Sequence, residues 1–285
     1  MKGELFEVSG KDGRVLTRGR FFRGSKTPGN VVIAQVGLGA TIDKPNGFIS
    51  DLRENADRYG DFSLFAVEHP GHDLNKTSPD EKIIWTLQDC EKATQHALNH
   101  ILSQTETKKL IAVGNSLGFW ALFNAIAKGA TGMDPRFLGL LGKSGITSYF
   151  AVLGKILQKF GSEHDQPGAG KKFMEHIRMD EKTGWGEWQV NPGDPVVPIH
   201  RDLINLISGL IERTAIIGQP VETWQGELDT YCSAAEMRTH NEGRIVVHEQ
   251  KHLGHSLCHS GNDTVSRAVN QEMIRRIKEI FERGN

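Results

Sequence analysis

Short apolar runs alternate along the chain with stretches whose apolar residues recur at helical spacing. The run Val31–Val36 is β-branched and apolar apart from Gln35, which is typical of an inner strand covered on both faces. We predict a helix over Phe48–Tyr59 and a further strand over Phe62–Val67. Strands that alternate with helices favour an α/β fold with a doubly wound, mostly parallel sheet.

The two ends of the chain extend this pattern. Leu5–Val8 and Val15–Phe22 flank the turn residues Lys11-Asp12-Gly13, so they predict a β-hairpin. Arg244–Glu249 is predicted to be the last strand. Apolar residues at helical spacing then mark a closing helix; these are Val265, Val269, Met273, Ile277 and Ile280.

Another helix is predicted from its start signal. Ser78 can cap a helix, Pro79 suits the first helical position, and Glu81 completes a capping box. The buried stripe of this helix would comprise Ile83, Leu87, Cys90, Ala97, Leu98 and Ile101. Phe137–Leu141 and Pro220–Trp224 predict two further strands.

Residues 143–219 interrupt the alternation of strands and helices. Loops rich in glycine and proline, at residues 166–170 and 191–195, separate the helical patterns of this segment. These patterns lie at Ser148–Phe160, Lys171–Met179 and His200–Glu212. We therefore expect a helical cap over residues 143–219, inserted into a core formed by residues 1–142 and 220–285.

The composition narrows the classes of function. Of the 285 residues, 38% are apolar and 24% are charged, as in soluble globular proteins. The net charge of -1 gives no overall field that would favour nucleic acid as a partner. Cys90, Cys232 and Cys258 lie far apart, which favours free thiols in a reducing compartment. No apolar run approaches ~20 residues and the N-terminus lacks a signal-peptide pattern, so we expect a cytoplasmic protein without a membrane span.

The strongest chemical signal lies in the middle of the chain. The apolar run Leu110–Val113 leads into Gly114-Asn115-Ser116-Leu117-Gly118, and apolar residues then repeat at helical spacing. This pattern predicts a strand that turns sharply into a helix with Ser116 at the corner, the G-x-S-x-G nucleophile elbow. Gly114 and Gly118 would let strand and helix approach closely, because glycine has no Cβ. The helix N-terminus would offer N–H groups to developing negative charge.

At this elbow the chain resembles the α/β-hydrolase family, over about residues 28–142 and 215–283. In that family the catalytic residues follow the chain order Ser, Asp or Glu, His. The resemblance therefore implies Ser116 as nucleophile, Asp229 as orienting acid and His255 as general base. These residue types suit the chemistry, because a serine hydroxyl needs an imidazole to take its proton and the imidazole needs a carboxylate to fix its tautomer.

Neighbouring residues leave two of these assignments open. Glu227 stands two positions before Asp229 and is an alternative acid, although the family pattern favours Asp229. His252 lies three positions before His255 and is the nearest alternative base.

The resemblance also implies an oxyanion hole made of two backbone N–H groups. One belongs to Leu117, directly after the nucleophile, and the other to Leu38, in the loop Gly37-Leu38-Gly39. Family members commonly carry histidine before the first glycine of this loop, where this chain has Val36. The sequence Glu68-His69-Pro70-Gly71-His72 resembles a family turn that is more often structural than catalytic.

These features together favour a serine hydrolase that acts on a small-molecule carboxylic ester or thioester through an acyl-enzyme. We expect no cofactor and no metal, because the histidines near the C-terminus lack the ligand spacing of a zinc site. Those histidines are His248, His252, His255 and His259. An acyltransferase that uses the same acyl-enzyme, and a ligand-binding protein of this fold with little catalysis, are the alternatives.

Overall fold

A computed structural model describes residues 3–9, 15–37, 42, 47–70, 74, 87–145, 180, 182–188, 197–200, 217–229, 232–239, 244–254, 257 and 263–284. Within these residues the chain forms ten strands and five α-helices. No helix among them has both the length and the apolar character needed to cross a membrane.

The strands are β1 (Glu4–Ser9), β2 (Val15–Phe22), β3 (Asn30–Gln35), β4 (Ser63–Val67), β5 (Lys109–Asn115), β6 (Phe137–Lys143), β7 (Trp185–Trp188), β8 (Val197–His200), β9 (Val221–Gly226) and β10 (Ile245–Gln250). The helices are α1 (Phe48–Tyr59), α2 (Leu87–Ser103), α3 (Leu117–Lys128), α4 (Ala234–Thr239) and α5 (Asp263–Arg283). A single 3₁₀ turn at Ala130–Met133 follows α3.

Eight of these strands form one sheet in the order β1-β2-β4-β3-β5-β6-β9-β10. The six strands from β4 to β10 in this order pair in parallel, whereas β1 and β2 form the predicted antiparallel hairpin at one edge. The predicted doubly wound, mostly parallel sheet is therefore confirmed. Each predicted core strand is present to within two residues at its ends, and the helix predicted over Phe48–Tyr59 has those bounds.

The central strand β5 divides the core into two layers. Leu110 and Ala112 pack with α2 and α3 on one face, while Ile111 and Val113 pack with α1 and α5 on the other. Successive side chains of a strand point to opposite faces, so an uninterrupted apolar run is required wherever helices cover both faces. The run Leu110–Val113 meets this requirement, and all four of its residues are fully buried.

The segment expected to form a cap contains an antiparallel pair of short strands, β7 and β8, with Trp185 opposite His200. The sequence analysis did not predict these strands. The helices predicted at residues 148–160 and 171–179 lie outside the described residues. The helix predicted over His200–Glu212 also lies outside them apart from His200, which is the last residue of β8 and not the start of a helix. The start of the helix predicted at Ser78 lies outside them too, and the structure describes this helix from Leu87 onward. The division into core and helical cap stays a prediction.

The parallel strands bring their carboxyl ends to one edge of the sheet. β5 ends directly before Ser116, β6 ends at Lys143, and β9 ends at Gly226, three residues before Asp229. Ligand sites of open α/β sheets lie at this edge. The topology thus places the candidate nucleophile and the candidate acid on the same side of the sheet.

Candidate active site

Ser116 occupies a strained corner between β5 and α3. Its φ is 52° and its ψ is -115°, a backbone conformation that side-chain-bearing residues rarely adopt. The backbone N–H of Ser116 donates to the Lys143 carbonyl at 3.0 Å, and its carbonyl accepts from the N–H of Phe119 at 3.1 Å. The strand-to-helix turn predicted from the sequence is present, with these bonds fixing both sides of the corner.

The two glycines of the motif are required by close packing around this corner. A Cβ on Gly114 would lie well under 3.0 Å from the backbone of Phe119. A Cβ on Gly118 would lie equally close to the carbonyl oxygens of Gln35 and Val36, at the end of β3. Neither position has room for a side chain, because the obstructing atoms belong to backbone and cannot swing away.

The structure describes one of the two predicted oxyanion donors, Leu117. Leu117 is the first residue of α3, where backbone N–H groups have no acceptor within the helix. Leu38 lies outside the described residues. Gly37, directly before it, lies against the elbow, since a Cβ there would be 3.2 Å from the Cβ of Ser116. The loop that contains Leu38 therefore starts beside the candidate nucleophile.

Asp229 is buried and its carboxylate is hydrogen-bonded on both oxygens. Only 3% of the residue is exposed. Oδ2 accepts from the side-chain amide of Gln225 at 2.9 Å, and Oδ1 accepts from the backbone N–H of Cys232 at 3.2 Å. These two donors fix the orientation of the carboxylate.

His255 lies outside the described residues, but the chain just before it packs on the turn after β9 that carries Asp229. Leu228 donates its N–H to the Leu253 carbonyl at 2.9 Å. A Cβ on Gly226 would collide with the carbonyl oxygens of Leu253 and Gly254, so the two turns are in close contact. The structure thus brings the residue next to His255 against the turn that carries Asp229.

The alternative acid and base bind each other at the surface. The backbone N–H of His252 donates to Glu227 Oε2 at 3.0 Å, and the Nδ1 of His252 lies 3.7 Å from the same oxygen. The His252 side chain is 79% exposed. Glu227 is thus paired with an exposed side chain at the surface, whereas Asp229 is buried with a hydrogen bond on each oxygen, so the geometry favours Asp229 over Glu227 as the acid.

Two buried polar residues that the sequence analysis did not select as site residues form hydrogen bonds next to the candidate site. Gln225 is the donor to Asp229 and is fully buried. Glu68, 1% exposed, accepts the backbone N–H of Ile42 at 2.9 Å on one oxygen and that of Leu74 at 2.9 Å on the other. For Gln225 the signal in the sequence was a polar residue at the end of an otherwise apolar strand, and Glu68 stood in the turn that resembles the family without a role assigned to it.

A buried polar chain lies beside Glu68. The side-chain amide of Gln35 contacts the hydroxyl of Thr94 at 2.8 Å and Nδ1 of His69 at 3.1 Å. All three residues are fully buried. His69 therefore links β3 to the turn after β4 from within the core, in keeping with a structural role for that turn.

His248 takes part in a hydrogen-bonded cluster between the sheet and α5. Its Nε2 lies 2.9 Å from Glu222, which also binds the guanidinium of Arg276. Burial alone would raise the pKa of Glu222, but hydrogen bonds from Arg276 and His248 outweigh this and hold the pKa below its usual range. The described residues contain no group of three or more His, Cys, Asp or Glu side chains able to hold a metal ion.

Comparison with known proteins identifies the fold. No protein-family model and no curated protein sequence matches the chain. Solved structures match over nearly its whole length. Alpha/beta hydrolase domain-containing protein 10 from mouse is 15% identical, with a TM-score of 0.61 over 96% of this chain and 99% of that one. The alpha/beta hydrolase GrgF from Penicillium sp. sh18 is 14% identical, with a TM-score of 0.68 over 98% and 99%.

A third solved structure matches this chain to a similar extent. Est1E from Butyrivibrio proteoclasticus is 12% identical, with a TM-score of 0.59 over 97% of this chain and 99% of that one, and another structure of it contains ferulic acid. At these identities the likeness establishes an architecture and no activity. The chain has the α/β-hydrolase fold.

Proposed function

We propose, on the premise of this fold, that the protein is a serine hydrolase that cleaves a carboxylic ester or thioester through an acyl-enzyme on Ser116. Asp229 acts as the orienting acid and His255 as the general base. The backbone N–H groups of Leu38 and Leu117 form the oxyanion hole. The alpha/beta hydrolases among the structural neighbours support this reaction class.

The main support is the conformation of Ser116. A positive φ in a serine costs on the order of 1–2 kcal/mol, and such strain clusters at active sites. The chain packs closely around this corner, since a Cβ on Gly114 or Gly118 would lie well under 3.0 Å from backbone atoms. In a nucleophile elbow the serine hydroxyl is exposed above the sheet, next to the N-terminus of the following helix, here α3, where backbone N–H groups can donate hydrogen bonds.

The reaction proceeds in two halves. His255 takes the proton of the Ser116 hydroxyl as the oxygen attacks the carbonyl carbon, and the oxyanion that forms accepts hydrogen bonds from Leu38 and Leu117. The tetrahedral intermediate collapses as His255 gives the proton to the leaving alcohol or thiol, which leaves an acyl ester on Ser116. In the second half, His255 takes a proton from water as the water attacks the acyl ester. It then returns the proton to the Ser116 oxygen as the acid is released, which restores the serine.

The buried setting of Asp229 suits its part in these steps. A carboxylate with a donor on each oxygen keeps its orientation, so it is placed to stabilise the imidazolium that forms twice in each cycle. Because an unperturbed histidine titrates near ~6.5, activity should fall as the pH drops through the working pKa of His255.

A fluorophosphonate probe tests the nucleophile. Covalent labelling should occur on Ser116, identified by peptide mapping, and Ser116→Ala should abolish it. Ser103→Ala is the matched control, because this exposed serine at the end of α2 is remote from the elbow in the fold. Labelling that persists in Ser116→Ala, or a folded protein that does not react, would contradict the proposal.

A panel of activated esters and thioesters of graded acyl length, with and without added alcohol or thiol acceptors, tests the reaction. Hydrolysis in the absence of an acceptor is the expected result. Turnover that requires the acceptor would make the protein an acyltransferase with the same acyl-enzyme. Tight binding without turnover would make it a ligand-binding protein of this fold.

A further inference from the structure

The side-chain amide of Gln225 connects the candidate acid to the chain that follows it. Gln225 Nε2 donates to Asp229 Oδ2 at 2.9 Å and also to the backbone carbonyl of Cys232. Both neighbours are oxygen acceptors, so the amide atom that faces them must be the nitrogen. Each of the two amide protons therefore has its own acceptor.

Further contacts fix this amide in one orientation. Gln225 is fully buried, and Oε1 on the other side of its amide lies 3.4 Å from the hydroxyl of Thr223. Cys232 completes a ring of hydrogen bonds, because its carbonyl accepts from Gln225 while its N–H donates to Asp229 Oδ1 at 3.2 Å. The carboxylate is thus held on both oxygens by donors that cannot rotate away.

We propose that Gln225 is a positioning residue that acts through Asp229. An orienting carboxylate must stay ionised and must direct one lone pair at the imidazole. A neutral amide meets both needs, whereas a lysine or arginine at this position would form an ion pair and weaken the attraction between Asp229 and the imidazolium. The inference rests on the proposed function, since the orientation of Asp229 matters to the reaction only if Asp229 orients His255.

A double-mutant cycle tests whether Gln225 acts through Asp229. Steady-state kinetics with 4-nitrophenyl butyrate should show that Gln225→Leu lowers kcat about ten- to a hundred-fold, the effect of losing a hydrogen bond to a charged group, while KM changes little. Asp229→Asn should lower kcat more. The double variant should be no worse than Asp229→Asn alone, because residues that act as a unit do not add their effects.

A charge substitution supplies a readout that a packing role would not change. In Gln225→Glu the new carboxyl and Asp229 share one proton, because two carboxylates in contact do not both ionise. The negative charge that stabilises the imidazolium is then divided between two residues, so the acidic limb of the pH profile of kcat/KM should move to lower pH. The side chain keeps its shape, so this variant also serves if Gln225→Leu does not fold.

Thr107→Val is the matched control. Thr107 is buried and donates its hydroxyl to the Ile101 carbonyl at 2.9 Å, near the amino end of β5 and therefore at the opposite edge of the sheet. Its replacement should lower the free energy of unfolding in urea without changing kcat or the pH profile. A loss of stability is thereby distinguished from a loss of orientation at Asp229.

The outcomes separate this inference from the proposed function. If Asp229→Asn lowers kcat but Gln225→Leu matches the wild type, or if the two losses multiply in the double variant, Gln225 has no positioning role and the proposed function stands. An unmoved acidic limb in Gln225→Glu would also overturn the inference. If Asp229→Asn itself retains normal turnover, the acid assignment of the proposed function is wrong, and the inference is wrong with it.

Discussion

Four residues other than glycine have a positive φ in the described part of the chain, and two of them are serines at the ends of neighbouring parallel strands. Ser116 follows β5, and Ser144 follows β6 with a φ of 50°. Ser144 is 1% exposed, and its hydroxyl has no hydrogen-bond partner among the described residues. Strain and an unsatisfied hydroxyl therefore coincide at one residue beside the elbow.

Replacing Ser144 with glycine should stabilise the protein. Glycine adopts a positive φ without strain, and the substitution also removes the unsatisfied hydroxyl; the greater freedom of glycine in the unfolded chain offsets part of this gain. We expect the free energy of unfolding in urea to rise by about 1 kcal/mol. Ser144→Ala removes the hydroxyl and keeps the strain, so it should gain less. A Ser144→Gly variant less stable than Ser144→Ala would show that the backbone at this residue is not strained.

Gly118→Ala should destabilise the protein and impair the elbow. The new methyl group would collide with the Gln35 carbonyl, which belongs to a buried strand and cannot move aside. Overpacking of this kind typically costs about 1–3 kcal/mol, measurable by urea unfolding. Gly218→Ala is the control, because a Cβ there meets no atom of the described residues within 4 Å. Equal stability of the two variants would contradict the packing described around Ser116.

At the scale of elements, Glu68 joins the two loops that follow the neighbouring strands β3 and β4. Its carboxylate accepts one N–H from Ile42, in the connection between β3 and α1, and another from Leu74, in the connection between β4 and α2. A buried carboxylate is unfavourable unless both oxygens are hydrogen-bonded, and these two backbone donors meet that need. The loop that contains Leu38 is thus attached to the neighbouring loop through one side chain.

Glu68→Gln should loosen this attachment. Glutamine has a single acceptor oxygen, so one of the two backbone N–H groups would face an NH₂ group. We expect a loss of about 1–3 kcal/mol in urea unfolding, together with a lower kcat, because the loop with the predicted oxyanion donor loses an anchor. Glu54→Gln, an exposed change on α1, is the control and should have little effect. Unchanged stability in Glu68→Gln would show that the carboxylate does not hold the loops together.

The elements that could be predicted from the sequence are those with a strong local pattern. The continuous apolar run at Leu110–Val113 predicts a strand that is buried on both faces. The apolar stripe of α5 predicts a helix that is buried on one face. The strands β7 and β8 were missed because each has only four residues, and Pro198 lies within β8. A strand of this length gives too few positions for alternation to be recognised.

The residues of the candidate site likewise differ in whether a local pattern in the sequence reveals them. Ser116 and Asp229 lie in local motifs, so they could be selected from the sequence. The partners of Gln225 and Glu68 are set by tertiary contacts, since Glu68 and Ile42 are brought together only when β3 and β4 pair. No local pattern indicates which buried polar residue will meet which backbone group.

At the scale of the whole molecule, charged residues connect the sheet to its covering helix. Glu222 on β9 accepts from Arg276 on α5 at 3.0 and 3.1 Å, and Arg276 also contacts Glu279. The pKa of Glu222 lies below its usual range in the folded state despite its burial. Its contribution to stability is therefore full above the unfolded pKa and is lost as the pH falls through the lower, folded value.

Arg276→Met should reveal this dependence. At neutral pH the variant leaves Glu222 without its main cation, so we expect a loss of about 1–3 kcal/mol in urea unfolding. The difference from the wild type should shrink as the pH falls through the folded pKa of Glu222, because a protonated carboxyl no longer needs the arginine. Arg275→Met, an exposed change on the same helix, is the control. A difference that stays constant down to acid pH would contradict the assignment to Glu222.

The parallel pairing of β6 with β9 joins Leu140 to Val221 across all of residues 144–220. The entropy of closing a chain loop grows only with the logarithm of its length, so doubling such a segment costs about 0.6 kcal/mol. Insertions and deletions between β6 and β9 can therefore accumulate with little effect on the sheet. For the same reason, the pieces before and after a single cut in this segment would share one sheet, so the protein is a natural candidate for reconstitution from two separately expressed fragments.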